Sequence, residues 1–490
     1  MNKVKNIIAL DCGNSSYRVV LGKYDGDRIT TEVIAQEENH MIRVLDYYYW
    51  DFLKIYDFLL KSLKTVLTRV DKIDSIGVCT WGVDFALYDK SGSMLGSPLS
   101  YRNTIGEKHL NELSSEERRD MFNETGILCD KINSLYLLNG VKERMPEMFH
   151  AADKLLMIPD VINYMLTGKM VNEPTELSTT QLLSTITKEI SQNICEKFTI
   201  PSSLFSEIGV HGERIGNILP SIKEELDINY DIPVICVPSH DTASAVVAIP
   251  AEEDQFAFIS SGTWSLIGAE LDEPVVNKEV LESNLTNELG AFNKITLLKN
   301  SAGMFIIQRI KKEYDEETKA DHSWQEINDL ANTYKGEAPL FNINSNRFFN
   351  PPHMGKEIFN YLFETNQQQG EFNWAVVIKA VQESMACCYA QTIRNLERVT
   401  GKRFDKIYIV GGGSKNTAVN ELTAKRTGKI IVTGSNESTS LGSIAVQVKY
   451  FDKDITLGGI RNIIRNSIDL KTYQSDHEDN GIIDRYSDLI

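Results

Sequence analysis

The sequence predicts an α/β protein of two domains, and three observations lead there. Its 490 residues exceed what a single hydrophobic core ordinarily serves. Short apolar runs alternate with helical stripes along most of the chain. A strand–turn–strand element with glycine and hydroxyls in its turn occurs twice, near residue 11 and again near residue 260. The repeat implies a structural duplication, one copy per domain, with two opposed turns making a cleft suited to a polyphosphate.

Composition narrows the function. Hydrophobic residues make up 42% and charged residues 24%, as in ordinary globular enzymes. A net charge of -17 argues against a nucleic-acid footprint, and an anionic substrate would need local help from backbone amides or a metal. No apolar run approaches the length of a membrane span, and residues 1–6, which pass directly into a strand-like run, do not read as a signal peptide. The seven cysteines are scattered, with no Cys-x-x-Cys pair, so neither a disulfide framework nor a zinc site is expected. A reduced, cytoplasmic setting is the economical expectation.

Taken in order, Ile7–Leu10 is a strand ended by the tight turn Asp11-Cys12-Gly13-Asn14-Ser15-Ser16. A second strand, 17–24, follows, and Asp25-Gly26 turns the chain into a third, 28–34. The first turn is either a plain polar hairpin or an anion-binding nest. Asp11, placed where a phosphate-bridging cation would sit, and Arg18 across the hairpin favour the nest. The aromatic cluster Tyr47–Trp50 leads into a helix over 51–69. A strand over 76–80 runs into Trp81-Gly82-Val83-Asp84, which either lines a small polar pocket or is a glycine bulge with a buried tryptophan.

Residues 105–200 read as largely helical, including a helix that starts at Pro159 and stops at Gly168. Every Gly-Lys pair lacks the upstream glycine of a P-loop, which excludes that motif. The hydroxyl-rich run 175–181 is expected as a solvated loop, with a second carboxylate for a polar ligand as the alternative. The strand 234–237 then leads through Pro238-Ser239-His240-Asp241-Thr242-Ala243-Ser244 into a helix of small residues. Asp241 at that junction is either the helix N-cap or a catalytic base. Ionisation favoured by the helix N-terminus would make it a weak base.

The second strand–turn–strand element is 256–260, Ser261-Gly262-Thr263 and 264–268. A strand over 295–300 runs into a helix beginning near Ser301, and 310–375 reads as polar and loop-rich. A long helix over 374–400 precedes the strand 407–410 and the turn Gly411-Gly412-Gly413, whose glycines permit close backbone approach to a ligand. Glu437–Gly442 opens another small-residue helix, and the tail beyond 450 with its acidic end reads as less organised.

Four motifs therefore stand in order: an Asp-x-Gly hairpin, Trp-Gly-x-Asp, Ser-His-Asp-Thr-Ala-Ser, and Ser-Gly-Thr-Trp-Ser before Gly-Gly-Gly. Together with Leu298-Lys299-Asn300 and Gln308, over roughly residues 5–448, they resemble the FGGY family of carbohydrate kinases, whose fold is similar to that of actin and hexokinase. The resemblance implies two ribonuclease H-like domains that close over ATP and a sugar. Residues 1–245 would form the sugar-binding side, 246–448 the nucleotide-binding side and 449–490 a tail. It implies that Asp241 is the base for the primary hydroxyl of a ketose, and that Gly82, His240, Thr242 and Asn300 hold the sugar. Asn14, Ser15, Ser16, Tyr17, Arg18, Thr263, Gln308 and Gly412 or Gly413 would hold ATP. Asp11 would contact Mg²⁺ through water. Tyr17 stands where the resemblance leads one to expect a small residue. The implied substrate is L-rhamnulose, with L-fuculose or another ketose as the alternative, and the implied assembly is a monomer or homodimer. A non-catalytic nucleotide-dependent sensor or chaperone on the same fold is the contrasting reading; it has no need for a carboxylate at Asp241.

Overall fold

The computed structural model describes residues 4–253, 256–476 and 481–490. The first three residues and part of the acidic run near the C-terminus, 477–480, lie outside the described residues. The chain divides into two compact units, neither continuous in sequence. The first comprises Met1–Glu252, Glu270–Leu297 and Glu437–Ile468; the second comprises Glu253–Ala269, Leu298–Asn436 and Asp469–Ile490.

The first unit is built on a six-stranded sheet. Its order is Arg214–Asn217, Pro233–Ile235, Ser75–Thr80, Lys5–Cys12, Ser16–Tyr24 and Ile29–Glu38. Lys5–Cys12 pairs antiparallel with Ser16–Tyr24 and parallel with Ser75–Thr80. Its central residues Ile7–Leu10 are apolar because both faces are covered. Ile8 and Leu10 point into one core with the helix Phe52–Leu67, whereas Ile7 and Ala9 point into another with the helices Ser438–Phe451 and Leu457–Ser467.

The second unit repeats the plan. Ala257–Ser261 pairs antiparallel with Trp264–Leu271 and parallel with Lys406–Val410, which pairs parallel with Ile430–Thr433. Lys471–Tyr473 then adds an antiparallel edge, as Arg214–Asn217 does in the first sheet. The duplication expected from two similar turns is thus present as strand topology.

Glycines set how closely the elements of the first unit approach. A Cβ on Gly442, in the helix Ser438–Phe451, would lie 1.9 Å from the carbonyl oxygen of Ser244 in the helix Asp241–Val247. A Cβ on Gly22 would meet Ile444 at 2.6 Å. The small-residue character of both helices is therefore a packing requirement.

Four expectations are corrected. The run 175–181 is not a solvated loop: Pro174–Ser178 is a short helix, and residues 175–181 are all buried. Its hydroxyls survive burial because each bonds to backbone or to a neighbouring side chain. The strand expected to end at residue 300 continues to Ala302. The stretch 310–375 holds helices over Trp324–Thr333 and Met354–Glu364. The described part of the tail is organised, with an amphipathic helix at Leu457–Ser467 buried through Ile460, Ile463 and Ile464. Among the described residues no helix is long and apolar enough to cross a membrane.

Candidate functional site

In the first unit the turn 13–15 is closed by Gly13 N–H donating to the Ser16 carbonyl at 2.9 Å. Asn39 braces it, its side chain donating to the Gly13 carbonyl and its backbone N–H to Ser15. Asp11, 5% exposed, lies directly across the hairpin from Arg18. Its Oδ2 accepts from Arg18 Nε at 3.0 Å, from Arg18 Nη2 at 2.8 Å and from Ser440 Oγ at 2.6 Å. Arg18 also pairs with Glu437. All three bonds converge on one oxygen, so the other remains a hard donor of the kind Mg²⁺ prefers, and the site fits a single-carboxylate contact. Asn14 buries its side-chain oxygen without a partner, an orphan polar group that an incoming donor would satisfy. Tyr17 does not crowd this turn. Its ring is buried edge-on against Phe58, 4.8 Å between centroids, and its hydroxyl donates to Glu37.

At the midpoint of the chain the N-cap is His240, and Asp241 is the first helical residue, so the capping reading of Asp241 is corrected. The Asp241 side chain is one-third exposed and accepts from Thr242 Oγ1 at 3.2 Å. Burial of its surroundings is the largest influence on its carboxyl and raises its pKa; His240 opposes this and Asp11 adds to it. The expectation of a helix-stabilised, acid-shifted carboxylate is therefore corrected as well. A helix of only seven residues contributes little field against that desolvation.

His240 sits against Gly82, where a Cβ would come within 3.2 Å of the ring and 2.9 Å of Thr179. The glycine is required for that approach. Asp84 is not part of a ligand pocket: it is wholly buried and accepts from the indoles of Trp50 at 2.6 Å and Trp81 at 2.9 Å. Burial pushes its carboxyl up to about 7, against the lowering effect of both indoles.

Behind His240 lies a chain of buried groups. Its backbone N–H donates to Thr175 Oγ1 at 3.0 Å, and Thr175 donates to Glu173 Oε2 at 2.6 Å. Glu173 Oε1 meets His211 Nε2 at 2.6 Å, and His211 Nδ1 accepts from the Phe292 N–H. That last bond assigns the remaining proton of a neutral His211 to Nε2. Glu176, also fully buried, is pushed well above the carboxylate range by desolvation and by the nearby acids.

The structure thus brings Asp11, Asn14–Arg18, Gly82, His240, Asp241 and Thr242 together in one unit. Consecutive residues of the helix Ser438–Phe451 tie the two halves of this set: Thr439 donates to the Asp241 carbonyl and Ser440 to Asp11. Sequence reading missed Ser440, Glu437, Thr175 and Glu288. Ser440 and Glu437 follow the turn by more than 400 positions, and no local pattern announces them.

The remaining predicted residues lie in the second unit. Thr263 is exposed at the tip of the hairpin, and its carbonyl accepts from the Phe305 N–H at 3.4 Å. Gln308 is exposed on the first turns of the helix Met304–Thr318, and Asn300 is exposed on the strand Ile295–Ala302. The glycine turn sits directly on this hairpin: Gly411 has φ 79°, and a Cβ on Gly413 would lie 2.0 Å from Ser261 Oγ. At Gly412 a Cβ would meet nothing within 4 Å. Thr263 and the glycine turn are therefore neighbours, and Gly412 presents bare backbone outward.

Residues 6–248 match the N-terminal domain of the FGGY family of carbohydrate kinases, and residues 257–450 match its C-terminal domain. The chain is 36% identical over 469 residues to a rhamnulokinase of Oceanobacillus iheyensis, covering 95% of this chain and 97% of the relative. It is 35% identical over 473 residues to a rhamnulokinase of Bacteroides thetaiotaomicron, covering 96% of each. Among solved structures, a gluconate kinase from Lactobacillus acidophilus shares the fold with TM-score 0.79 at 18% identity, covering 99% of this chain and 96% of that one. Glycerol kinase from Plasmodium falciparum with ADP does so with TM-score 0.80 at 16% identity, covering 99% and 97%.

Proposed function

The chain belongs to the FGGY family of carbohydrate kinases, enzymes of sugar phosphotransfer, and on that premise we propose that it transfers the γ-phosphoryl group of ATP to the 1-hydroxyl of L-rhamnulose. The products are L-rhamnulose 1-phosphate and ADP, a step of L-rhamnose catabolism. The choice of ketose rests on the relatives named rhamnulokinase. The observation that carries the chemistry is the presence in one unit of a partly exposed Asp241 and the Asp11–Arg18 turn, joined by Thr439 and Ser440.

In this reading Asp241 accepts the proton of the primary hydroxyl, and its raised pKa makes it a better acceptor than an ordinary aspartate. Phosphoryl transfer has a loose transition state, so holding the hydroxyl in line matters more than base strength. Gly82, His240, Thr242 and Asn300 hold the sugar. Asn14, Ser15, Ser16, Tyr17, Arg18, Thr263, Gln308, Gly412 and Gly413 hold the nucleotide, with Tyr17 contributing backbone, since its side chain is buried under the sheet. Asp11 would hold Mg²⁺ through water, and the ion, when bound, neutralises charge on the phosphates. Arg18 keeps Asp11 oriented for that contact.

The test is ADP release with Mg-ATP across a panel of ketoses. L-rhamnulose should give the highest kcat/KM, with L-fuculose below it. Equal or better turnover of another ketose would overturn the substrate assignment, and no turnover of any would overturn the reading.

A further inference from the structure

We propose that Glu288 is a positioning residue for sugar recognition, its carboxylate holding the His240 imidazole across the bare backbone of Gly82. The inference rests on the reading that His240 contacts the ketose. Glu288 Oε2 lies 3.2 Å from His240 Nδ1, an ion-pair distance, and the other ring nitrogen, Nε2, lies 3.6 Å from Asp241 Oδ1. The two side chains are 17% and 11% exposed, so the pair is neither sealed in the core nor free at the surface.

The pair is built from both ends on one short helix, Pro174–Ser178. Thr175 accepts the backbone N–H of His240, and Ser178 Oγ accepts the N–H of Leu289, the residue after Glu288. On the other flank the Asn287 side chain donates to the Gly126 carbonyl at 2.8 Å. Glu288 and His240 are thus referenced to the same element, and neither backbone can drift without breaking a buried bond. Gly82 closes the third side, where a Cβ would press on the ring at 3.2 Å.

The charges agree with this geometry. Around the imidazole stand Glu288 on the strand Thr286–Leu289, Asp241 on its own helix, and Glu173, the N-cap of the helix Pro174–Ser178. Burial raises the Glu176 carboxyl well above the carboxylate range, and Asp84 is committed to the two indoles. Burial lowers the pKa of His240, but the carboxylates, Glu288 foremost, outweigh it and carry it up to about 9. At neutral pH the ring is then a donor at both nitrogens. Nδ1 faces Glu288 as an ion pair at 3.2 Å, without the alignment of a hydrogen bond, while Nε2–H, beside Asp241, is offered to a ketose oxygen. Removing the Glu288 charge would free the ring to turn and to lose that proton.

The experiment compares wild type, Glu288→Gln and Glu288→Asp by ketose and ATP kinetics from pH 6 to 9.5 and by NMR titration of the His240 ring in the ligand-free protein. For Glu288→Gln the ketose KM should rise at least about tenfold while ATP KM stays unchanged, the scale of a lost half-buried ion pair. The His240 titration, and with it the alkaline limb of kcat/KM, should move down by at least about one pH unit. Glu288→Asp should keep the alkaline limb and still raise the ketose KM, because the charge remains but the reach is shorter. Glu288→Gln with wild-type ketose KM and an unmoved His240 titration would overturn the proposal. Should Glu288→Gln fail to fold, an unchanged ketose KM in Glu288→Asp would overturn it instead. A wild-type protein that phosphorylates no ketose would overturn the kinase reading alone, since the ring titration still judges the Glu288–His240 pair.

Discussion

Asp241 and Gly412 carry the sharpest consequences at the level of single residues. Asp241→Asn keeps the size and the Thr242 contact but removes the proton acceptor, so ketose phosphorylation should fall at least about a hundredfold. ATP affinity, measured by calorimetry, should stay within about threefold, because the residues proposed to hold ATP lie elsewhere. Wild-type turnover in that variant would remove Asp241 from the mechanism. Gly412→Ala is a probe of a different kind. Its Cβ meets nothing in the protein, so the fold should be untouched while nucleotide affinity weakens. Unchanged ATP affinity there would count against the glycine turn as a nucleotide contact. Asp241 itself was only half legible in the sequence. Its place at a strand-to-helix junction was readable, but which residue caps the helix depends on backbone angles, and the cap falls on His240. Its pKa was misjudged because desolvation depends on burial in the packed fold, which local sequence does not show.

At the level of elements, the helices Asp241–Val247 and Ser438–Phe451 pack closely through Gly442. Gly442→Ala places a Cβ 1.9 Å from the Ser244 carbonyl, and overpacking of this kind should cost about 1–3 kcal/mol or more in a denaturant titration. A change under about 0.5 kcal/mol would show that the two helices separate easily. The Trp50–Asp84–Trp81 cluster predicts a pH signature. The Asp84 carboxyl is raised from 3.8 to about 7 in the folded protein, so its stabilising contribution is full below about pH 4 and is lost as pH rises through 7. The loss amounts to about 4 kcal/mol. Asp84→Asn retains an oxygen for the two indoles and removes the titration, so its stability relative to wild type should improve steadily between pH 4 and pH 8. A stability difference independent of pH would contradict the assignment. The polar run 175–181 was misread as a loop for an instructive reason. Hydroxyl-rich sequence looks solvated, and only the local capping bonds, with Glu173 accepting from Thr175 and Glu176, let it be buried.

At the scale of the whole molecule, the two hairpins were legible because a turn declares itself within six or seven residues. The antiparallel pair at each hairpin follows from its turn, whereas the parallel neighbour on the other side, present in both units, comes from a strand far along the chain. The return of Glu437–Ile468 to the first unit was not legible, because Ile444 on Gly22 and Ser440 on Asp11 are contacts across more than 400 residues. The family motifs supplied what periodicity does not, namely which of several polar turns belong to one reaction. Phosphoryl transfer to the 1-hydroxyl is read most directly by NMR of the product formed from L-rhamnulose and Mg-ATP. Such transfer gives a phosphomonoester whose phosphorus couples to the C1 methylene protons, formed together with an equal amount of ADP and nearly absent with Asp241→Asn. Phosphate on any other carbon, or ATP left intact beside L-rhamnulose, would contradict it.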